Sequence, residues 1–166
     1  MSEPICHVFD DDGRIPNSPL PLLVLRAALP ADAGAIERAF ARNGWTGAWR
    51  DGVYSFHHFH STTHEVLGVA RGRVTVRFGG PGGASLNLGA GDVAVIPAGV
   101  GHCNEGASGD LLVVGAYPGG AAWDLRRGEP AERDEVSRNL AAVPLPDADP
   151  VHGMDGPSVR LWRAGG

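Results

Sequence analysis

The chain has 166 residues, enough for one domain with a substantial core, and 43% of them are hydrophobic. Its formal net charge of -5 and its lack of any basic cluster argue against nucleic acid or an anionic membrane surface as a partner. The two cysteines make no disulfide framework, the first twelve residues lack the apolar core of a signal peptide, and no apolar run is long enough to cross a bilayer. We therefore expect a cytoplasmic protein without a membrane partner.

Residues 1–44 are expected to form an extension that contains one strand and one helix. Residues 1–20 carry three prolines and a run of aspartates, so we expect irregular chain there. An apolar run at residues 22–25 predicts a short strand. Asp32 is a suitable helix N-cap, and apolar residues recur at helical spacing from there to the Asn43-Gly44 C-cap signal. This helix is expected to pack over a sheet.

Between residues 45 and 118 the hydrophobic period changes from 3.6 to 2, which predicts short strands separated by glycine turns. The predicted strands are 54–60, 65–69, 73–78, 86–88, 93–96 and 111–117. Strands of this length and spacing are typical of an antiparallel sandwich or barrel. We expect residues 45–118 to be the barrel core. Residues 119–166 are expected to be an extension packed on it, charged and partly helical over 123–138 and otherwise proline-rich and irregular, all within one domain.

Four histidines lie within residues 57–64, and Glu65 follows them directly. His58 and His60 are two positions apart, so on a strand both imidazoles lie on one face. Glu65 is five residues beyond His60, roughly 16 Å along a straight strand, which is too far to share an ion. A hairpin at residues 61–63 would bring it back alongside. Imidazoles and a carboxylate on one face are a potential set of metal ligands.

A second stretch, residues 91–102, contains a turn, an apolar strand, a Pro-x-Gly turn and a histidine in that order. The two stretches together resemble the two motifs of the cupin superfamily, G(X)5HXH(X)3-4E(X)6G and G(X)5PXG(X)2H(X)3N. The matching residues are Gly52, His58, His60, Glu65 and Gly72 in the first motif, and Gly91, Pro97, Gly99 and His102 in the second. The final asparagine of the second motif is replaced by Gly106, and Asn104 is the nearest substitute. That asparagine is not a metal ligand in the family.

The resemblance covers about residues 50–118, and the wider chain is similar to uncharacterised small bacterial cupins with an RmlC-like jelly roll. It implies an all-β fold, an antiparallel double-stranded β-helix (jelly-roll barrel), to which the short N-terminal helix and the irregular tail are added. It also implies a homodimer and one divalent transition metal (Fe, Mn, Ni or Zn). The implied ligands are His58, His60, Glu65 and His102.

The residue types support a metal independently of the resemblance. Three imidazoles and one carboxylate suit a transition metal, and an octahedral ion would keep two open positions. One ligand charge of -1 against a 2+ ion leaves about one net positive charge in a low-dielectric barrel, which favours an anionic or enolisable oxygen ligand.

Other interpretations of the same residues stay open. The histidines can be hydrogen-bonded strand residues without a metal. A zinc site made of His58, His60 and His64 is a rival, although alternation puts His64 on the opposite face from Glu65. Tyr54 shares the face of the paired histidines and is the one candidate catalytic residue, with core packing as its alternative.

Fold alone does not determine function, so two hypotheses are carried. The first is a small metalloenzyme, an oxygenase or an isomerase/lyase, that acts on a small oxygen-rich, carboxylate- or dicarbonyl-like molecule. The second is a non-catalytic cupin that binds or senses a metal-chelating small molecule. A purely structural barrel is a weaker third. We favour the enzyme; a proton-transfer group on the inner face is what would separate it from the binding module.

Overall fold

Nine strands and three α-helices make up most of the regular structure in residues 3–165, the part of the chain that the computed structural model describes. In chain order they are β1 (Ile5–Phe9), β2 (Ser18–Leu25), α1 (Ala33–Arg42), β3 (Trp45–Asp51), β4 (Glu65–Arg71), β5 (Arg73–Phe78), β6 (Ala84–Gly89), β7 (Val93–Ile96), β8 (His102–Ala107), β9 (Leu112–Pro118), α2 (Arg133–Ala142) and α3 (Pro157–Gly165).

The strands form two antiparallel sheets. One has six strands in the order β1-β2-β7-β4-β9-β3, and the other has three strands in the order β6-β5-β8. Alternate side chains of both sheets meet in a shared apolar core, where Leu67 and Val69 of β4 join Val76 and Phe78 of β5. This antiparallel arrangement confirms the predicted all-β jelly-roll fold.

The outer face of the six-stranded sheet is covered by helices. Asp32 caps α1 by accepting a hydrogen bond from the Ala35 N–H at 2.8 Å, and the apolar face of α1 packs on β4. Gly68 permits the close approach, because a Cβ there would lie 2.7 Å from Ile36 Cγ2 and 3.0 Å from Phe40 Cζ. The predicted helix and its packing over a sheet are confirmed.

The N-terminal segment is more regular than the sequence predicts. β1 forms where irregular chain is expected and pairs with β2, which starts earlier than expected and joins β7 on its other side. The prediction of irregular chain was wrong because it was based on the prolines of this segment. Pro19 and Pro21 lie in the half of β2 that precedes its pairing with β7, where a missing N–H costs little.

The largest difference between the predicted and the observed fold concerns residues 54–60. These residues were predicted to form a strand paired with β4 through a hairpin. The segment forms only isolated bridges, one between His58 and His102 and one between Phe59 and Arg126. The hairpin predicted at 61–63 is wrong, because β4 pairs with β7 and β9 instead. The chain therefore crosses from the edge of the three-stranded sheet to the interior of the other. β8 was missed because its sequence, HCNEGA, has little apolar alternation.

Two helices lie in the C-terminal segment: α2 overlaps residues 123–138, where a partial helix is expected, and α3 lies where the sequence predicts irregular chain. The prolines of this segment lie at the ends of the helices and do not interrupt them. Pro144 follows α2, and Pro157 begins α3. Trp162 of α3 is buried, and its indole N–H donates to the Pro21 carbonyl at 2.8 Å. Within residues 3–165, no helix has the length and apolarity needed to span a bilayer.

Candidate metal centre

Three histidine side chains converge in the interior, between the two sheets. The candidate ligand nitrogens of His58, His60 and His102 all lie within 4.8 Å of one another, and all three side chains are buried. Two backbone hydrogen bonds between His58 and His102, at 3.2 and 2.9 Å, hold the extended segment against the start of β8. His58 and His60 lie on the same side of their segment, as their spacing predicts.

Each of these rings has its Nδ1 against a backbone carbonyl. The contacts are His58 to Phe56 at 2.9 Å, His60 to Asp124 at 2.5 Å and His102 to Val100 at 3.1 Å. A carbonyl oxygen can only accept, so the hydrogen of each neutral imidazole lies on Nδ1. The lone pair of each Nε2 is then available for a metal. The same kind of contact orients metal-binding histidines in general.

Glu65, the first residue of β4, completes the group. Its Oε1 lies 3.1 Å from His102 Nε2, and its Oε2 lies 3.3 Å from His60 Nε2. Burial raises the pKa of this carboxyl, but the charges and hydrogen bonds of His60 and His102 outweigh burial and hold the pKa far below its usual range. Burial and the neighbouring imidazole of His102 lower the pKa of His58 to about 3. Glu65 is therefore an anion here, and His58 is neutral.

A cation fits this set of donors. With hydrogen on Nδ1, the Nε2 atoms of His60 and His102 and the oxygens of Glu65 are all acceptors, and acceptors at 3.1 to 3.3 Å repel one another. Positive charge between them removes the repulsion, either as protons on the rings or as one metal ion. Burial lowers the pKa of His60, but the charge of Glu65 and its hydrogen bond outweigh burial and raise that pKa, so a protonated His60 is the alternative to a metal ion. One divalent ion satisfies the whole group at once.

Two aromatic residues support Glu65 from behind. The Tyr117 hydroxyl, on β9, donates to Glu65 Oε2 at 3.1 Å and accepts from the Trp49 indole N–H, on β3, at 2.7 Å. Burial and the charge of Glu65 raise the pKa of Tyr117, so its hydroxyl keeps the proton. Trp49 lies directly on Gly115, where a Cβ would be 2.1 Å from the indole ring. Sequence reasoning placed Tyr117 at the end of the predicted strand 111–117 and assigned it no role in the site.

Asp124, in the loop after β9, anchors the His60 segment. Its carboxylate accepts from the backbone N–H and the hydroxyl of Ser61, at 2.7 and 2.5 Å, and from Arg126 Nε at 2.7 Å. Burial raises the pKa of Asp124, but these hydrogen bonds outweigh burial and lower the pKa to about 2. The backbone carbonyl of Asp124 in turn accepts a hydrogen bond from His60 Nδ1. No sequence motif marks this residue, so sequence reasoning missed it.

A cavity of about 450 Å³ opens from the histidines and Glu65 to the surface. Its walls include Trp49, Leu67, Tyr117 and Trp123, and Tyr54 stands at the mouth with 48% of its surface exposed. The Tyr54 ring centroid is 5.2 Å from that of His58, so this candidate catalytic residue lies on the histidine side as expected. The volume is within the usual range for small-molecule sites.

His64 lies outside this centre, as alternation predicts. Its Nδ1 accepts from the Ala98 N–H at 2.9 Å, its Nε2 donates to the Pro144 carbonyl at 3.1 Å, and its ring packs against Trp162. Burial lowers its pKa to about 4, so it is neutral near pH 7. Both of its nitrogens are thus occupied by backbone groups, and His64 does not join His58 and His60 in this structure. The structure instead brings together the other predicted set, His58, His60, Glu65 and His102.

Comparison with solved structures finds matches of low similarity. Acireductone dioxygenase from Bacillus anthracis, with a cadmium ion in its active centre, is 18% identical, with a TM-score of 0.37 over 49% of this chain and 56% of that one. A DUF861 family protein from Thermotoga maritima is 17% identical, with a TM-score of 0.37 over 57% of this chain and 96% of that one. At these scores, neither structure bears on the function of this chain.

Comparison at the sequence level is more specific. The family model described as Cupin matches residues 50–117. The uncharacterized protein YjlB of Bacillus subtilis is 45% identical over 157 residues, which are 94% of this chain and 94% of that protein. The matched segment contains both halves of the histidine and glutamate cluster. On this match and on the observed fold, the chain belongs to the cupin family.

Proposed function

We propose that this protein is a metal-dependent cupin enzyme that holds one divalent transition metal through His58, His60, Glu65 and His102. The observation that carries the proposal is the set of three Nδ1 contacts to backbone carbonyls. These contacts leave three Nε2 lone pairs available, and two of them, on His60 and His102, lie 3.3 and 3.1 Å from the oxygens of the buried Glu65 carboxylate. A purely structural role would not need all three rings in the same tautomer around an anion.

The substrate class follows from the chemistry of the centre. When bound, a divalent ion would act as a Lewis acid with open positions for one or two oxygens of a carboxylate- or dicarbonyl-like molecule. The chain would contribute the rest. Tyr117 orients Glu65, Trp49 and Leu67 keep water from the inner cavity, and Tyr54 is the hydroxyl at the mouth that could exchange a proton with a bound molecule.

The reaction is proposed to be that of an oxygenase or of an isomerase/lyase. Both would bind the substrate through its oxygens at the same centre, and they differ in the metal and in the need for O2. A binding cupin without catalysis would use the same four ligands but would not depend on a proton-transfer group such as Tyr54. The identity of the metal and the effect of Tyr54→Phe on turnover therefore distinguish the oxygenase, the isomerase/lyase and the binding cupin.

Elemental analysis of protein purified without a His-tag or chelator tests the proposal. We expect about one equivalent of a single transition metal, lost in the His58→Ala/His60→Ala variant. The matched control is His7→Ala/His152→Ala, which also removes two imidazoles and should keep the metal. Iron would direct the next assay to oxygen consumption; manganese, nickel or zinc would direct it to isomerase, lyase or binding assays. A wild-type protein that takes up no metal after reconstitution would refute the proposal.

Three further statements remain proposals of the same kind. They are a homodimer, a cytoplasmic location, and the division into an N-terminal extension (1–44), a barrel core (45–118) and a C-terminal extension (119–166). Light scattering on the purified protein would test the first, and a dimer that dissociates only at high dilution is the expected result.

A further inference from the structure

The walls of the cavity carry an unusual charge pattern for a site that would take an oxygen-rich molecule. Within residues 3–165 no arginine lines the cavity, and the sequence contains no lysine. Its two acidic lining residues are Glu65 and Asp51. Phosphates and multiply charged carboxylates are normally bound by arginine or lysine. The ligand of this cavity therefore carries no more negative charge than a bound metal ion can balance.

Aromatic residues dominate the remaining walls. Tyr54 and Trp123 both line the cavity, although they come from segments far apart in the sequence. They are 48% and 44% exposed, values that are high for large aromatic side chains. An exposed pair of rings on the walls of one cavity is the kind of apolar surface that marks a binding site.

Each of these rings is one half of a stacked pair that reaches the metal centre. Tyr54 stacks on Phe56 with centroids 5.0 Å apart and meets the His58 ring edge-on. Trp123 stacks on Tyr117 with centroids 6.2 Å apart and meets the His60 ring edge-on at 5.4 Å. Both stacked pairs therefore border the histidine cluster.

The chain beside each ring is fixed by contacts within the protein. The Tyr54 carbonyl accepts from the Asn104 N–H at 2.9 Å, and the Arg127 guanidinium lies 4.1 Å from the centroid of the Phe56 ring on which Tyr54 stacks. Trp123 precedes Asp124, which is fixed by its hydrogen bonds to Ser61. Aromatic side chains have only two rotatable bonds, so they lose little side-chain entropy when a ligand binds.

We propose that the cavity binds a small planar aromatic molecule, with at most one negative charge, whose chelating oxygens face the histidine cluster. Its ring packs against Tyr54 and Trp123, since aromatic rings favour stacked or edge-on contact with one another. This narrows the broad class of oxygen-rich substrates to phenolic, aromatic-acid or aryl-carbonyl compounds. The orientation of the oxygens rests on the proposed metal site; the contact with the two rings does not.

Hydroxamates provide matched probes, because they chelate a metal through the same two oxygens and differ only in the attached group. We would measure the Kd of benzohydroxamate, cyclohexanecarbohydroxamate and acetohydroxamate by calorimetry, using the full-length protein reconstituted with one equivalent of Zn²⁺. Benzohydroxamate is expected to bind about tenfold or more tighter than acetohydroxamate, and tighter than the cyclohexane analogue. Tyr54→Ala and Trp123→Ala should each remove most of this preference. Leu125→Ala, which truncates an exposed apolar residue outside the cavity lining, should retain it.

The outcomes separate the two proposals. If Zn²⁺ binds but the three hydroxamates have equal affinities, the aromatic inference is overturned and the metal site stands. Equal binding of the phenyl and cyclohexyl probes would show a general apolar pocket and overturn the aromatic class. A preference that survives in both alanine variants would overturn the assignment to Tyr54 and Trp123. If Zn²⁺ does not bind at all, the proposed function fails first, and a ring preference lost in the alanine variants would still support the contact with these rings.

Discussion

The Tyr117→Phe substitution removes one hydroxyl group from the support of the candidate metal centre. The side chain is only 2% exposed, so phenylalanine keeps the same apolar packing. Two hydrogen bonds are lost, the one donated to Glu65 at 3.1 Å and the one accepted from Trp49 at 2.7 Å. Glu65 is itself 3% exposed, so a replacing water could reach it only through the cavity.

The size of the effect follows from what the hydroxyl does. A hydrogen bond to a charged group contributes about 1.5–3 kcal/mol. Residues that orient metal ligands from behind typically change metal affinity by about 10–100-fold when they are removed. That range corresponds to about 1.4–2.7 kcal/mol, which agrees with the loss of one charged hydrogen bond. We therefore expect the Kd for Zn²⁺ to rise by about 10–100-fold.

Competition with a chromophoric chelator measures this Kd directly. The matched control is Tyr54→Phe, which removes a hydroxyl from the same cavity but makes no hydrogen bond to Glu65, and which should leave the Kd unchanged. A Tyr117→Phe Kd within about twofold of the wild-type value would refute the idea that Tyr117 holds Glu65 for the metal. An equal loss in both variants would point to a general effect of cavity polarity instead.

Three other changes have defined outcomes. Gly115→Ala should push Trp49 out of place and destabilise the fold by about 1–3 kcal/mol in urea unfolding, with a weaker metal site; unchanged stability would contradict the close packing. His64→Ala should leave the Ala98 N–H without its acceptor and cost about 1–3 kcal/mol, while metal content stays the same; loss of metal would return His64 to the ligand set. Metal at 100 times its Kd should stabilise the wild type by about 2.7 kcal/mol, which is measured as a rise in Tm. A chelator should reverse this rise. The His58→Ala/His60→Ala variant should show no rise in Tm when metal is added.

Local sequence patterns predicted the parts of the fold that depend on neighbouring residues. The alternation along β5 and the capping of α1 by Asp32 reflect period-2 and period-3.6 burial, and both formed as expected. The sequence also predicted which side chains cluster, because the fixed spacings in the two motifs encode how one fold brings distant strands together. His58 and His102 are far apart in sequence yet bridge in the structure.

The residues that support this cluster could not be predicted from the sequence, because their roles depend on pairings between distant segments. Tyr117 is 52 residues from Glu65, and Asp124 is 63 residues from Ser61. A hydrogen bond across such a distance leaves no periodicity in the sequence. The wrong hairpin at 61–63 has the same origin: a polar break between two apolar runs predicts a turn, but it cannot tell which strand the chain pairs with next.

The C-terminal segment contributes to the site as well as covering the barrel. Asp124 anchors the His60 segment, and Trp123 beside it lines the cavity. Arg126 connects this loop to α2 through Glu135 at 3.1 Å, and Asn139 of α2 donates to the Ser61 hydroxyl at 3.0 Å. The loop after β9 is thus fixed from both sides. The two motifs supply the candidate ligands, but residues beyond them orient one ligand and form one aromatic wall. The candidate site therefore extends past residue 118 into residues 119–142.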